Sequence, residues 1–327
     1  MLVLSRDDLR AALAPRALVE ALAEAFRLRA AGAARVPPRA AVPVIGDGLL
    51  LLMPAALTEP GDRVALGTKL VTYYAGNRER GRPTLYASYV LMDGATGEPL
   101  ALLEGTYLTG IRTGATSALA ARHLARPDAR RAVCVGAGVQ AGFQLRCFAA
   151  TLPLERVAVV GRDPERARRF ADAMARELGL GVEVAADPRR AVAEADLVTC
   201  ATTSSTPVVH GADLRPGTHV DAVGAFRPDT REVDTETIRR ARVVVDTYEG
   251  ALEEAGDLLI PLREGAIERG HVAAELGELV TGARAGRTGA DEVTLFKSVG
   301  YALEDLAAAR LAYNRAKAGG IGTEVRL

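Results

Sequence analysis

The sequence predicts an α/β protein: a doubly wound parallel sheet over residues 116–299 and a second, α+β domain assembled from residues 1–115 and 300–327. Three observations carry this. A length of 327 residues suits two domains at about 150 residues each. From about residue 116 onward, six short apolar runs alternate with helical or loop segments, the rhythm of parallel strands joined by crossovers. Directly after the first of those runs stands Gly136-Ala137-Gly138-Val139-Gln140-Ala141, a G-x-G-x-x-A turn between strand and helix.

In chain order, Ser5 and Asp7 can cap a short helix, and Pro15 through Ala33 places Leu18, Leu22, Phe26 and Leu28 on a stripe close to the 3.6-residue period. Beyond Pro37-Pro38, Leu49–Met53, Val64–Val71, Leu85–Met92 and Leu100–Leu103 read as strands, with a hairpin turn from Asp93-Gly94 to Gly97. Thr113-Gly114 is expected to open an Ala-rich helix over Ala115–Ala125. In the second domain the strand candidates are Ala132–Val135, Val157–Val160, Val182–Val184, Leu197–Cys200, His219–Val223 and Val243–Val245, with a helix over Gly142–Ala150. Val293 to about Lys317 is expected to form one long amphipathic helix, ended by Gly319-Gly320 and returning to the first domain.

Composition excludes several classes. Forty-one Lys+Arg against 41 Asp+Glu leaves no net charge, so the overall electrostatic footprint of a nucleic-acid or anionic-membrane partner is missing. No run approaches the ~20 apolar residues of a membrane span, and the N-terminus turns acidic at Asp7-Asp8, too early for a signal peptide. A cytoplasmic protein with reduced thiols is expected, because Cys134, Cys147 and Cys200 cannot all pair. His123, His210, His219 and His271 have no metal-ligand spacing, and neither a Gly-x-Ser-x-Gly elbow nor a Walker loop is present. The chain has 38 Arg but only three Lys, at 69, 297 and 317; a lysine here marks a place where a compact, titratable ammonium is preferred to a planar fork, or survives by chance.

The glycine turn implies a dinucleotide. Gly136 permits the tight turn, Gly138 lets the backbone approach a pyrophosphate, and Ala141 lets the helix lie close to the strand; the helix N-terminus then holds the phosphates. At the end of the second strand, Gly161-Arg162-Asp163 puts Arg162 first, with Arg166 a turn later. Arg162 there favours a 2′-phosphate, hence NADPH over NADH. Asp163 either accepts a ribose hydroxyl or caps the helix opening at Pro164. Outside this domain, Lys69 interrupts an apolar strand and Arg112 precedes Thr113-Gly114, while Arg39 follows the two prolines. Charges so placed are costly unless paired. Each is read either as a structural ion pair or as part of a cluster that grips a substrate carboxylate.

Six blocks carry a resemblance: Gly67–Thr72, Glu104–Ala115, Val135–Gln140, Ala222–Asp234, Ala274–Glu278 and Phe296–Gly300. In these the chain resembles the ornithine cyclodeaminase/mu-crystallin family over nearly its whole length. The resemblance implies a Rossmann-type cofactor domain and a homodimer whose other domain carries substrate and dimer contacts. It places the carboxylate-binding trio on Arg39, Lys69 and Arg112, with Lys69 and Arg112 catalytic. It places cofactor contacts on Thr84, Thr113, Gly136, Gly138, Val139, Gln140, Arg162, Thr202, Gly224 and Ser298.

One departure directs the functional reading. Cyclodeaminases and archaeal alanine dehydrogenases of this family keep a catalytic Asp two residues before a proline; here that position is Phe226, before Arg227-Pro228. Phenylalanine can move no proton, whereas cyclodeamination needs acid–base help. Ala225-Phe226-Arg227-Pro228 looks more like mu-crystallin and bacterial ketimine reductases. The expected activity is NAD(P)H-dependent reduction of a cyclic ketimine carboxylate, with Phe226 as an apolar wall or else as a core residue at a strand end. Alternatives are an ornithine or lysine cyclodeaminase, with Glu254 or Asp257 as proton donor, an alanine or N-alkyl amino-acid dehydrogenase, and a non-catalytic small-molecule-binding protein.

Overall fold

A computed structural model gives the fold and describes residues 1–44, 46, 48–61 and 63–326. The chain divides into two compact units, Met1–Arg112 with Tyr301–Leu327, and Thr113–Gly300.

Among its described residues, the first unit holds one sheet in the order Thr323–Glu324, Leu2–Leu4, Pro99–Glu104, Leu85–Asp93, Arg63–Tyr74, Gly48–Glu59, Ala34–Arg35, with Ala40–Pro43 also pairing with Gly48–Glu59. The Arg63–Tyr74 strand is an inner one. It sets Lys69 opposite Met53 on one side and Tyr89 on the other, and its burial alternates, so that Ala65, Lys69 and Val71 point into the core. Helices Pro15–Ala30 and Ala302–Gly319 pack on each other and on this part of the sheet. Ser5 caps the short Arg6–Ala12 helix in a reciprocal pair with Asp8, which satisfies N–H groups that the first turn leaves unbonded.

Two expectations about helices are corrected. The Ala-rich helix runs from Gly105 to Leu124 rather than starting at Ala115. Glu104 starts it, accepting the N–H of Thr106 at 2.9 Å and of Tyr107 at 2.7 Å, so Arg112 lies inside a helix rather than ahead of one. Gly110 and Gly114 disguise this stretch. The second correction is that Val293–Lys297 is a buried strand, and only Ala302–Gly319 is helical. A β-branched and aromatic stretch buried on both faces suits an inner strand of a parallel sheet. Gly300, at φ 88°, breaks the chain before the helix begins.

The second unit is a parallel sheet in the order Gly181–Val184, Arg156–Val160, Arg131–Val135, Leu197–Cys200, His219–Ala222, Val293–Lys297, Ala241–Val245, Val272–Glu275. Its first five strands follow the doubly wound Rossmann order. The late strand Val293–Lys297 then slips between His219–Ala222 and Ala241–Val245. The Val272–Glu275 strand is an addition to the six expected. His219 is fully buried with Nδ1 3.0 Å from the Thr294 hydroxyl, and burial pushes its pKa down to about 3. All three cysteines are free and buried. Among the described residues no helix is long and apolar enough to cross a membrane.

Candidate active site

On the buried face of the first unit's sheet, Lys69 and Arg112 converge on the first turn of the Ala302–Gly319 helix. Lys69 Nζ donates to Asp305 Oδ2 at 2.7 Å, Arg112 Nε to Asp305 Oδ1 at 3.0 Å and Arg112 Nη1 to Glu304 Oε2 at 2.6 Å. All four side chains are buried, where a lone charge is costly and a paired one tolerable. The ion-pair alternative for Lys69 and Arg112 is therefore realised, through two acids that the sequence reading did not single out. Their signal lay in the pattern: Asp305 shares a helix face with Ala309, Ala312 and Ala316, all buried, a place where a carboxylate needs a partner.

Arg39 is half-buried and within electrostatic reach of Lys69. These five side chains comprise three cations and two anions, a surplus suited to one incoming carboxylate. Burial pushes the Lys69 ammonium down; Asp305 opposes this and Arg112 and Arg39 reinforce it, leaving it at about 8. Burial alone would raise the Asp305 carboxyl, but Arg112 and Lys69 outweigh it and hold it below the usual carboxylate range. The cluster thus pairs a fixed anion with an ammonium brought down to about 8.

In the second unit, the strand order reverses between Arg131–Val135 and Leu197–Cys200, and at such a switch point the strand ends leave a crevice for a ligand. Gly136 has φ 120°, and a side chain there would meet the Ala201 carbonyl at 2.5 Å. Gly138 is the N-cap of the Val139–Thr151 helix. Val139 is 73% exposed, while the Gln140 amide donates to Gln144 Oε1 at 3.1 Å. A narrow glycine cradle ending on a helix N-terminus fits a pyrophosphate. Arg162 is exposed just past the second strand. Asp163 caps the Pro164–Leu178 helix, accepting the Arg166 N–H at 3.1 Å, and Arg166 Nε donates to the Ala137 carbonyl at 3.1 Å. The capping role foreseen for Asp163 is the one realised.

The remaining expected contacts scatter. Thr202 and Gly224 lie beyond the ends of adjacent parallel strands, and their N–H groups both bond Glu232. Ser298 is buried with its hydroxyl on Asp246 at 2.9 Å. Thr113 is half-buried within its helix. Thr84 belongs to the first unit, half-buried, its carbonyl accepting the Tyr74 N–H at 2.9 Å. Phe226 is 46% exposed, which removes the core-residue alternative. Of the proton donors considered in its place, Asp257 is fully buried and holds two backbone N–H groups; Glu254 ends the short Tyr248–Glu254 helix.

The sequence matches the ornithine cyclodeaminase/mu-crystallin family over residues 1–320. The chain belongs to that family. A family relative, the Δ1-pyrroline-2-carboxylate reductase of Bacillus cereus, is 38% identical over 326 residues, 99% of each chain. The ketimine reductase mu-crystallin of Mus musculus is 38% identical over 284 residues, 86% of each chain. Among solved structures of the family, Thermococcus litoralis Δ1-pyrroline-2-carboxylate reductase in complex with NADH and L-proline is 43% identical. It matches 99% of this chain and 100% of its own with a TM-score of 0.94.

Proposed function

We propose that this chain is an NAD(P)H-dependent reductase of cyclic ketimine carboxylates, converting Δ1-pyrroline-2-carboxylate or Δ1-piperideine-2-carboxylate to L-proline or L-pipecolate. The observation that carries the reading is the buried Lys69–Arg112–Asp305 cluster, and the family relatives that act on ketimines or hold NADH and L-proline support it. The bound dinucleotide would supply a hydride to the imine C2. What this chain adds is positioning, which for a reactive iminium carries most of the rate. Arg112 and Arg39 grip the carboxylate. Lys69, its ammonium eased down to about 8, shares that grip or delivers the proton the nitrogen needs as the C=N bond is reduced to CH–NH. Phe226, where the family's deaminases would keep a carboxylate, can move no proton, which suits a reduction rather than a deamination. Gly136, Gly138, Val139 and Gln140 hold the pyrophosphate, and Thr113, Thr202, Gly224 and Ser298 complete the second unit's cofactor site.

Arg162 and Arg166 receive a 2′-phosphate, so NADPH is preferred and NADH accepted; Asp163 spends Oδ1 on the helix cap. The enzyme acts as a cytoplasmic homodimer. Three buried, unbridged thiols suit a reducing compartment. The half-buried strand face bearing Leu52, Ala56, Leu66 and Leu70 offers a surface to a second copy. The test is loss of reduced-dinucleotide absorbance on mixing with each imine, run with NADPH and NADH. Turnover of either imine, faster with NADPH, is expected. Silence with both imines together with ammonia release from ornithine would overturn the reading, and a strong NADH preference would overturn the cofactor choice alone.

The Lys69 environment sets a pH dependence. Below about 8 the side chain is protonated and above it neutral, so kcat/KM should fall as pH rises through that value. In Lys69→Gln this break should vanish along with most of the activity. A wild-type profile flat across the region would separate Lys69 from the proton.

A further inference from the structure

At the carboxyl end of the parallel sheet, four strands finish side by side: Leu197–Cys200, His219–Ala222, Val293–Lys297 and Ala241–Val245. The segments leaving them are tied together by buried charges. Glu232 accepts the N–H and hydroxyl of Thr202 on Oε1 at 2.6 and 2.8 Å, and the N–H of Gly224 on Oε2 at 2.6 Å. Asp257 Oδ1 accepts the N–H groups of Glu232 at 2.7 Å and Val233 at 3.0 Å. Its other oxygen pairs with Lys297 Nζ at 2.8 Å. Lys297 in turn donates to the carbonyl of Ala225 at 2.5 Å, the residue before Phe226. Lys297, Asp257 and Glu232 are all fully buried.

We infer that Lys297, Asp257 and Glu232 are positioning residues that fix this rim and so set the affinity for the dinucleotide without touching it, an inference that rests on the dinucleotide reading above. The donor count supports it. Glu232 already takes the N–H groups of Thr202 and Gly224, so those residues meet a ligand through carbonyls and Cα surface, whose usefulness depends on where the backbone is held. Gly224 has no room to adjust, because a side chain there would strike Thr202 and Glu232. Lys297 also explains one of the three lysines in an arginine-rich chain: the socket asks for a point charge between a carboxylate and a carbonyl. Burial lowers the Lys297 ammonium, but Asp257 and Glu232 outweigh it and raise its pKa. It is a fixed charge, unlike Lys69.

Two variants test this, each read by fluorescence titration with NADH and NADPH and by thermal melting. Glu232→Gln keeps the shape but turns a donor toward a donor, and is expected to raise the Kd roughly tenfold. The loss should appear in the KM for the dinucleotide and not in kcat. The double variant Lys297→Met with Asp257→Asn keeps an acceptor for the two N–H groups and removes the ion pair, but leaves Glu232 buried without its cation, so it should melt below the wild type. Titrated well below its melting temperature, it should bind the dinucleotide several-fold more weakly, because Ala225 has lost its tether. Wild-type Kd values in both variants overturn the inference alone, and so does failure of both to fold, which makes the network purely structural. A wild type that binds neither dinucleotide removes the cofactor reading and this inference with it.

Discussion

Arg112→Ala is expected to lower kcat/KM for the preferred imine by about 10² or more and to destabilise the first unit by about 3–5 kcal/mol. Both effects have one origin. Arg112 bonds Asp305 at 3.0 Å and Glu304 at 2.6 Å from inside a helix, and both acids are fully buried. Truncation strips a planar cation from two carboxylates that cannot reach water. Lys69 still holds Asp305 and Arg39 stays within electrostatic reach of Lys69, so the unit should fold at moderate temperature. The cluster then changes from a surplus of positive charge to balance, and the substrate carboxylate meets no net attraction. Arg112→Lys separates charge from geometry: it restores the charge without the fork, and should recover part of the stability and little of the activity. Steady-state kinetics on folded protein checks this. An Arg112→Ala enzyme within tenfold of wild type would mean that the residue only holds the helix to its acids.

How much of this was legible follows the range of the interactions. Lys69 was legible because an ammonium inside an alternating apolar strand is locally anomalous. Its partner Asp305 lies 236 positions away, and no local pattern joins them. The glycine turn was legible because its chemistry is contained in six consecutive residues, and the Asp163 cap because capping reaches only one turn. The stretch Val293–Lys297 reads as helix in the sequence for a related reason. Its burial on both faces depends on neighbours drawn from His219–Ala222 and Ala241–Val245, and a fully apolar run carries no period that separates strand from helix. The start of the Arg112 helix was hidden by Gly110 and Gly114, which lower local propensity. Gly114 stands where a Cβ would meet the Phe143 carbonyl at 2.5 Å, so packing rather than propensity placed it there. Glu232, Asp257 and Lys297 remained obscure in the same way, as charges whose sense appears only once four strand ends stand together.

Gly224→Ala should abolish most dinucleotide binding, with a Kd at least tenfold above wild type, while costing about 1–3 kcal/mol of stability through overpacking. Its added methyl would run into the carbonyl of Thr202 and the carboxylate of Glu232 and lie 2.5 Å from the Thr202 N–H. None of these can swing aside cheaply, since Glu232 is fully buried and bonded to Thr202 by both N–H and hydroxyl. Relief must come from spreading the ends of two adjacent strands, which moves the rim against which the cofactor rests. Gly270→Ala is the matched control: no atom lies within 4 Å of its added methyl, so binding and melting temperature should stay at wild-type values. Titration of NADH and NADPH into both variants separates the outcomes. Equal affinity in the two would show that the Thr202–Gly224 rim can open without consequence, and that the dinucleotide is held by the glycine turn alone.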